Sequence, residues 1–308
     1  MKLITPPFLK KGDVVGIVAP ARKVTQSDVE PAIGILKGWG LDVILGEHLY
    51  ESYNQFSGTD EQRANDLQSM IENDHVKAII CARGGYGSIR LLDSINLRAL
   101  QRSPKWLVGY SDISVFHGIL NSWYMVETIH GPMPVNFPSD GVDSPSTQAL
   151  RDALFGHVPH YSCPNHELNR IGKSVGLLCG GNLSIILSVA RTNADIITGG
   201  KILFIEDLDE YLYHIDRMMM NLKHSGKLDG LAGLVIGSMN GMNDNTIPYG
   251  YNAYDIVWDA VKDYSYPVCF GFPAGHQDPN LSLILGRRVT LTVTEEGVSL
   301  EFHPPPMS

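Results

Sequence analysis

The sequence predicts an α/β protein whose N-terminal half forms a mostly parallel sheet flanked by helices. Short apolar runs alternate with helical patterns through this half of the chain, an order typical of right-handed βαβ units. A glycine-rich loop and a serine each follow directly on an apolar run. Because ligands bind at the carboxyl ends of the strands in such sheets, these two places are the first candidates for a functional site.

Each element of the first half has its own signal. An apolar run predicts a buried strand at 14–20, and Gly38-Trp39-Gly40 ends the helical pattern of 28–38. Thr59 and Gln62 resemble a capping box at the start of the next helix. The later elements predicted here are a strand at 41–45, a helix from 59 to about 72, a strand at 76–82, a helix at 88–94, a strand at 106–110 and a helix after Ser111.

The composition of the chain changes in the middle. Prolines punctuate a polar stretch at 134–170, which contains one predicted helix near 146–155. We therefore expect an N-terminal domain over 1–150, a linker over 151–170 and a C-terminal domain over 171–308. The elements predicted beyond the linker are strands near 175–179, 201–206, 232–238, 267–271 and 281–285, helices near 182–192, 214–224 and 253–263, and a terminal hairpin of 288–293 with 298–302.

Composition and charge limit the classes of function. The chain has 308 residues, of which 44% are hydrophobic and 19% charged, an ordinary globular profile. This length suits two domains or one large α/β domain. The net charge is 24 − 33 = −9, which disfavours nucleic acid and anionic membrane surfaces as partners.

Cysteine usage and the termini favour a cytoplasmic protein. The four cysteines are widely spaced and form no CxxC pair, so a disulfide framework is not expected and a reducing compartment fits. The N-terminus has no apolar core of signal-peptide length, and no run approaches the length of a membrane span. HExxH, EF-hand and clustered His/Cys patterns are also missing, so we expect no metal and no cofactor.

The glycine-rich loop Arg83-Gly84-Gly85-Tyr86-Gly87 lies between a predicted strand and a predicted helix. Such a loop can hold a phosphate or an oxyanion with its backbone N–H groups, or can simply form a tight turn. The GxGxxG fingerprint and the P-loop lysine are both missing. Arg83 adds a fixed cation, which favours an anionic ligand or intermediate.

Ser111 follows the strand 106–110 and precedes a helix, and two interpretations are open. Serine is a preferred N-cap residue, and Asp112 would suit the first turn of a helix. The alternative is a nucleophile elbow, whose motif in α/β hydrolases is G-x-S-x-G. Gly109 matches the first glycine of that motif, but Ile113 stands in place of the second.

A serine nucleophile needs a base, and the base needs an orienting acid. His130 and His276 both lie next to glycine in predicted loops, and the sequence alone leaves both open as the base. Glu206 and Asp207 close an apolar strand, where a buried carboxylate needs a partner. Strand alternation points their side chains in opposite directions, so only one of them can face a site.

Together these pieces resemble the LD-carboxypeptidase family, which comprises serine peptidases that cut murein peptides and the microcin-immunity peptidases. The resemblance covers about residues 12 to 290, and no single stretch in it is specific alone. The stretches that carry it, in the expected order, are Val14, Gly16, Ala19 and Pro20; Gly58-Thr59 with Arg63 and Leu67; residues 83–87; Gly109-Tyr110-Ser111-Asp112; His130-Gly131-Pro132-Met133; Gly180-Gly181-Asn182-Leu183; Glu206-Asp207; and Gly275-His276.

The resemblance implies the roles of the site residues. The Ser–Glu–His triad of the family falls on Ser111, Glu206 and His276, which selects one member of each open pair. The oxyanion hole falls on the backbone N–H groups of Gly85 and Asp112. The family fold is an N-terminal α/β domain related to class I amidotransferases, with a smaller β-rich C-terminal domain. The triad is assembled between the two, usually within a homodimer.

Further residues are candidates for binding the substrate. Arg83, Tyr86 and Asn182 lie in the matching stretches. An exopeptidase must also bind the free carboxylate of its substrate, for which Arg83 and Arg217 are both open.

The function that the resemblance implies is release of the terminal D-alanine from murein tetrapeptides in peptidoglycan recycling, through an acyl-enzyme on Ser111. The partner would be a murein peptide with a C-terminal D-residue. A first alternative is a microcin-immunity-type peptidase that cleaves a peptidyl- or aminoacyl-nucleotide conjugate, with Tyr211 and Tyr213 available to stack on a base. A second is a non-catalytic small-molecule-binding protein, in which Ser111 is a helix cap and His276 a structural residue.

Overall fold

Two sheets organise the chain in a computed structural model that describes residues 3–305. The strands in chain order are β1 (Val14–Val18), β2 (Asp42–Leu45), β3 (Val76–Cys81), β4 (Trp106–Gly109), β5 (Thr128–His130), β6 (His160–Cys163), β7 (Gly172–Asn182), β8 (Ile202–Leu208), β9 (Gly233–Asn240), β10 (Val268–Cys269), β11 (Leu283–Leu285), β12 (Arg288–Val293) and β13 (Val298–Phe302). The α-helices are α1 (Gln26–Gly38), α2 (Asp60–Glu72), α3 (Ser114–Ser122), α4 (Pro145–Phe155), α5 (Leu183–Ser188), α6 (Leu212–His224) and α7 (Ala253–Val261).

The first sheet has the strand order β11-β5-β4-β3-β1-β2. Its five N-terminal strands are parallel, and only β11 runs antiparallel, against β5. The predicted mostly parallel sheet is therefore confirmed, and the carboxyl ends of β3 and β4 lie side by side. This places the glycine-rich loop next to the turn that carries Ser111.

The second sheet has the strand order β10-β9-β8-β7-β12-β13-β6. Strands β7 to β10 are parallel, whereas β12, β13 and β6 continue the sheet in antiparallel fashion. The β-rich character expected of the C-terminal part is confirmed, as is the hairpin of β12 and β13. Glu206 lies near the carboxyl end of β8.

The chain crosses between the sheets more often than the predicted boundaries imply. The stretch 151–170, predicted as a linker, contains the end of α4 and the strand β6, which pairs with β13. The strand β11 lies within 171–308, yet it pairs with β5 of the first sheet. The domain boundaries themselves stay a prediction.

Two predicted helices are shorter in the structure, and one capping signal is confirmed. The helix predicted at 88–94 is a 3₁₀ turn, Ser88–Leu91, and polar residues that favour turns follow it. The helix predicted at 182–192 stops at Ser188, and Arg191 then turns the chain with a left-handed φ of 62°. Thr59 and Gln62 form the predicted capping box of α2.

One apolar core joins the two sheets. Val108 of β4 and Ile129 of β5 belong to the same buried cluster as Phe204 of β8 and Phe272, which precedes the His276 loop. Burial of this shared surface fixes the strand ends of one sheet against those of the other. Within residues 3–305, no helix has the length and apolar character needed to cross a membrane.

Candidate active site

Ser111 stands in a sharp turn between β4 and α3. Its φ is 61°, in the left-handed region that residues other than glycine rarely adopt. A 3₁₀ turn, Ser111–Ile113, begins at this residue, and no side chain caps it. The helix-cap interpretation of Ser111 is therefore wrong. A strained strand-to-helix turn that carries a serine is the geometry of a nucleophile elbow.

Ile113 explains how the elbow forms without its second glycine. The side chain of Ile113 is buried and lies on Gly109, where an added Cβ would come within 2.8 Å of Cγ1 of Ile113. The glycine before the serine thus provides the space that the isoleucine after it fills. The strand and the helix can approach closely because one of the two side chains is missing.

The glycine-rich loop contacts the elbow through its backbone. A Cβ added to Gly84 would lie 2.8 Å from Cβ of Ser111 and 3.4 Å from the backbone nitrogen of Asp112. Gly85 has a φ of 105°, which glycine adopts without strain. Among residues 3–305, the N–H of Gly85 donates to no protein acceptor. The loop therefore brings a donor that is not engaged within the protein close to the serine.

The side chain of Asp112 stabilises the turn that follows the glycine-rich loop. Its carboxylate accepts a hydrogen bond from the backbone N–H of Ser88 at 2.7 Å, which fixes the first residue of the 3₁₀ turn after the glycine-rich loop. Burial raises the pKa of this carboxyl, although the bond to Ser88 opposes the shift. Asp112 thereby ties the loop to the elbow, and its backbone N–H stays the predicted oxyanion donor.

Glu206 and His276 form a direct pair. Oε2 of Glu206 accepts hydrogen bonds from Nδ1 of His276 at 2.6 Å and from the backbone N–H of His276 at 3.3 Å. Glu206 is fully buried. Burial acts to lower the pKa of His276, but the hydrogen bond and the charge of Glu206 outweigh it and raise this pKa above its ordinary value. A carboxylate that fixes Nδ1 leaves Nε2 as the nitrogen available to take a proton.

Asp207 points away from the histidine, as strand alternation predicts. Its carboxylate accepts hydrogen bonds from the side chain of Asn182 at 3.0 Å and from the backbone N–H of Ser184 at 2.8 Å. Burial raises the pKa of Asp207 to about 6. Asn182 is itself buried, and its side-chain oxygen caps α5. This geometry makes Asn182 a support for Asp207, and its contact with substrate stays a prediction.

The structure does not join Ser111 to the histidine. Among the described residues, no hydrogen bond links the hydroxyl of Ser111 to His276. The residue before the serine contacts the histidine, because the ring of Tyr110 lies 4.7 Å, centroid to centroid, from the ring of His276. In serine hydrolases without substrate, the bond between nucleophile and base is often longer than in the reacting complex.

His130, the other candidate base, is buried and packs against Tyr110. Its ring packs against Tyr110 and Phe204, at centroid distances of 5.7 and 4.9 Å. Within residues 3–305, neither ring nitrogen has a hydrogen-bond partner. Burial, followed by the charges of His117 and His276, lowers the pKa of His130 well below its ordinary value. Of the two candidate bases, His276 is thus the one with a carboxylate partner.

The other predicted substrate contacts lie around the glycine-rich loop. Tyr86 is exposed, and its ring packs against Phe56 at 6.1 Å. Arg83 is half-buried. Hydrogen bonds from Thr25 lower the pKa of Asp28, and the positive charge of Arg83 lowers this pKa further. The charge of Arg83 therefore interacts with Asp28 in the first turn of α1. Contact of Arg83 and Tyr86 with a substrate stays a prediction.

Arg217 and the two tyrosines named for the nucleotide alternative lie on or beside α6. The guanidinium of Arg217 covers the ring of Tyr213 at 5.2 Å. The rings of Tyr211 and Tyr213 are 5.6 Å apart, and both side chains are exposed.

A cavity of about 600 Å³ opens beside His276. The residues that line it include Tyr110, His276, Ser146, Asp278 and Asn280. Asn280 is buried, and its side-chain nitrogen has no partner within residues 3–305. The cavity is large enough for part of a peptide and offers both donors and acceptors.

Two contributions to the site were not predicted. Tyr110 packs on the catalytic candidate His276, and the only signal for it is its place directly before Ser111. Arg22 lies over Gly85, and it follows β1, far from the other site residues in the sequence. Among residues 3–305, no group of three or more His, Cys, Asp or Glu side chains is arranged to hold a metal ion.

Comparisons with known proteins find matches over most of the chain. Residues 15–131 match the family model described as the LD-carboxypeptidase N-terminal domain, and residues 175–291 match the LD-carboxypeptidase C-terminal domain. A protein of Bacillus subtilis (strain 168) named as a probable murein peptide carboxypeptidase is 34% identical over 304 residues, which cover 96% of this chain and 94% of the relative.

Solved structures are also similar. The muramoyltetrapeptide carboxypeptidase from Oxalobacter formigenes superposes with a TM-score of 0.87 at 28% identity, over 96% of this chain and 100% of that one. MccF in complex with glutamyl sulfamoyl guanosine superposes with a TM-score of 0.85 over 96% and 98% of the two chains. At 20% identity, the likeness to MccF shows the fold alone.

Proposed function

Because the chain belongs to the LD-carboxypeptidase family and is a serine-type carboxypeptidase, we propose that it releases the terminal D-alanine from murein tetrapeptides, in peptidoglycan recycling. The observation that carries the proposal is the pairing of the buried Glu206 with His276 beside the strained elbow of Ser111. A buried carboxylate on Nδ1 of an imidazole is the acid–base half of a serine hydrolase site.

In the proposed reaction, Oγ of Ser111 attacks the carbonyl carbon of the bond before the terminal D-residue. Nε2 of His276 takes the serine proton and later donates it to the amine of the leaving D-alanine. Glu206 holds the imidazole in the tautomer with hydrogen on Nδ1 and stabilises the imidazolium. Water then attacks the acyl-enzyme, with His276 again acting as base.

The negative charge that develops on the carbonyl oxygen needs donors. The backbone N–H groups of Gly85 and Asp112 are the proposed donors, because the glycine-rich loop lies directly against Ser111 and the nitrogen of Asp112. Removal of one such donor typically costs about 3–4 kcal/mol in transition-state stabilisation. The cavity beside His276 supplies room for the substrate on the side of the base.

The proposal includes a cytoplasmic location and a homodimer. The location fits the four cysteines, which are all free thiols. The homodimer is implied by the family resemblance.

Release of D-alanine from a murein tetrapeptide tests the proposed function. The purified protein should release D-alanine, and Ser111→Ala should abolish release while the thermal unfolding temperature stays near that of the wild type. Ser225→Ala, at the exposed end of α6, is the matched control and should keep full activity. Undiminished release by Ser111→Ala would remove the serine mechanism.

The nucleotide alternative has one observation in its favour. Tyr211 and Tyr213 form an exposed aromatic pair shortly after Glu206, and such rings can stack on a base. The same preparation should therefore also be tested on an aminoacyl sulfamoyl nucleoside. Cleavage of that compound without release of D-alanine would favour the alternative, and turnover of neither compound would rule out both substrates.

A further inference from the structure

Arg22 lies across the glycine-rich loop at the candidate oxyanion donor. A Cβ added to Gly85 would lie 2.3 Å from Cδ, 2.7 Å from Cγ and 3.4 Å from Nε of Arg22. The stem of the arginine therefore covers the face of Gly85, and its guanidinium extends beyond it. Since Gly84 contacts Ser111, this cation belongs to the surroundings of the nucleophile.

The backbone fixes where Arg22 starts. Its N–H donates to the carbonyl of Gly84 at 3.3 Å, and Arg22 forms an isolated antiparallel bridge with Phe56. The loop that follows β1 is thereby held against the loop that follows β3, because these two strands are neighbours in the sheet. The position of the backbone at Arg22 thus follows from the parallel topology.

Three neighbouring cations are engaged within the protein, whereas neither Arg22 nor Arg83 makes a side-chain hydrogen bond or ion pair within residues 3–305. Of these two, Arg22 is the one whose side chain lies against Gly85. Arg63 and Arg90 both pair with Asp60. Lys23 donates to the hydroxyl of Ser52 at 3.0 Å. Among residues 3–305, the side chain of Arg22 makes no hydrogen bond and no ion pair. An exposed arginine with no partner has all five of its N–H donors available to a ligand.

We propose that Arg22 binds a carboxylate of the substrate beside the scissile bond. The proposal rests on the proposed function, because a peptide cut before its last residue carries a terminal carboxylate close to the reacting carbonyl. A guanidinium matches a carboxylate through two parallel N–H···O bonds, which a lysine cannot reproduce. Arg22 also adds positive charge on the side where the oxyanion of the intermediate forms.

The carboxylate has two sources, which differ in the substrate required. One is the terminal carboxylate of the leaving D-residue, and the other is a side-chain carboxylate on the diamino acid before it. Three tetrapeptides blocked at every other carboxylate separate them. The first has lysine before a free D-alanine, the second has lysine before D-alaninamide, and the third has diaminopimelate before D-alaninamide.

The variants to compare are the wild type, Arg22→Gln, Arg22→Lys and the control Lys23→Gln. Lys23→Gln removes the same charge from the adjacent residue, whose side chain points to Ser52, and should act as the wild type. Arg22→Gln should lower kcat/KM roughly 10- to 100-fold on a peptide that carries the recognised carboxylate. Arg22→Lys should lose less, because it keeps the charge but not the paired geometry.

The pattern across peptides decides the outcome. A loss on the free D-alanine peptide that vanishes on the lysine-type amide assigns the terminal carboxylate. A loss on the diaminopimelate amide alone assigns the side-chain carboxylate. An equal loss on all three peptides, or none on any, overturns the role of Arg22. Failure of the wild type to release D-alanine from an unblocked murein tetrapeptide that carries diaminopimelate before D-alanine would instead overturn the proposed function.

Discussion

Nδ1 of His276 lies 2.6 Å from Oε2 of Glu206, and the backbone N–H of the same histidine donates to the same oxygen. The imidazole is therefore held at two points by one buried carboxylate. The net effect on the pKa of His276 is upward, although burial alone would lower it. Both the orientation of the ring and its basicity depend on Glu206.

Glu206→Gln should lower kcat/KM for D-alanine release about 10³- to 10⁴-fold, because an amide no longer fixes the tautomer or stabilises the imidazolium. The base must be neutral to take the serine proton, so activity is lost as the pH falls through its pKa. In the wild type, this acid limb should have its midpoint above about 6.5, and in Glu206→Gln the midpoint should move to lower pH. Rates measured from about pH 5 to about pH 9 check both expectations.

Asp207→Asn is the comparison for that experiment, since it removes a carboxylate from the next residue of the same strand. Its partners are Asn182 and Ser184, and its charge is the weakest contribution to the pKa of His276. The kcat/KM of Asp207→Asn should fall less than tenfold. The midpoint of the acid limb of its pH–rate profile should shift only slightly. Equal losses in the two variants would contradict the assignment of Glu206 as the orienting acid.

Ser111→Gly should be more stable than Ser111→Ala by about 1 kcal/mol, although both should be inactive. The φ of 61° at this position costs a residue with a Cβ roughly 1–2 kcal/mol, and glycine avoids that strain while it loses some entropy on folding. Urea unfolding of the two variants measures the difference. If alanine were the more stable, Ser111 would not be a strained position.

Several features were accessible from sequence, for identifiable reasons. The parallel sheet followed from the alternation of apolar runs and helical patterns. The opposite directions of the Glu206 and Asp207 side chains followed from strand periodicity. The choice between a helix cap and a nucleophile elbow at Ser111 could not be made from the sequence, because a serine after a strand suits both. Only the backbone angle at Ser111 distinguishes them.

Other features depend on contacts between distant parts of the chain. Strand β6 lies in a proline-rich stretch and is specified by its pairing with β13, so its own residues give little signal. His130 and His276 are alike in sequence context, and only tertiary packing buries one among aromatic rings and gives the other a carboxylate. Arg22 reaches the site because β1 and β3 are neighbours, which no local pattern reveals.

His130 should make the protein less stable in acid. In the unfolded chain its pKa is about 6.5, whereas burial keeps the folded-state pKa far lower. Below about pH 6.5 the unfolded state therefore binds a proton that the folded state does not, and stability falls by about 1.4 kcal/mol per pH unit for this group. His117, whose pKa burial lowers to about 4, adds a similar slope down to that pH.

His130→Leu removes one of these two slopes. Urea unfolding of the wild type and the variant at several pH values should show their stabilities moving apart as the pH falls, in favour of the variant. The difference between about pH 7 and about pH 5.5 should approach 1.4 kcal/mol. A constant difference across this range would mean that the pKa of His130 is the same in the folded and the unfolded protein.

Removal of either Arg287 or Glu127 alone should destabilise the protein strongly. Both are buried, and two hydrogen bonds of 2.5 Å join Nε and Nη2 of the arginine to the two carboxylate oxygens. Glu127 directly precedes β5 of the first sheet and Arg287 directly precedes β12 of the second, so the pair links the two. Arg287→Met should lower the free energy of unfolding by about 3–5 kcal/mol, because it leaves a buried carboxylate without its partner.

The double variant Glu127→Met with Arg287→Met separates charge burial from packing. Once both charges are gone, no desolvated group is left unpaired, so the double variant should be more stable than either single variant. Chemical denaturation of all four proteins completes the cycle, and the coupling between the two sites is the quantity to measure. Additive losses would mean that the two side chains contribute independently, through their volumes and not through their pairing.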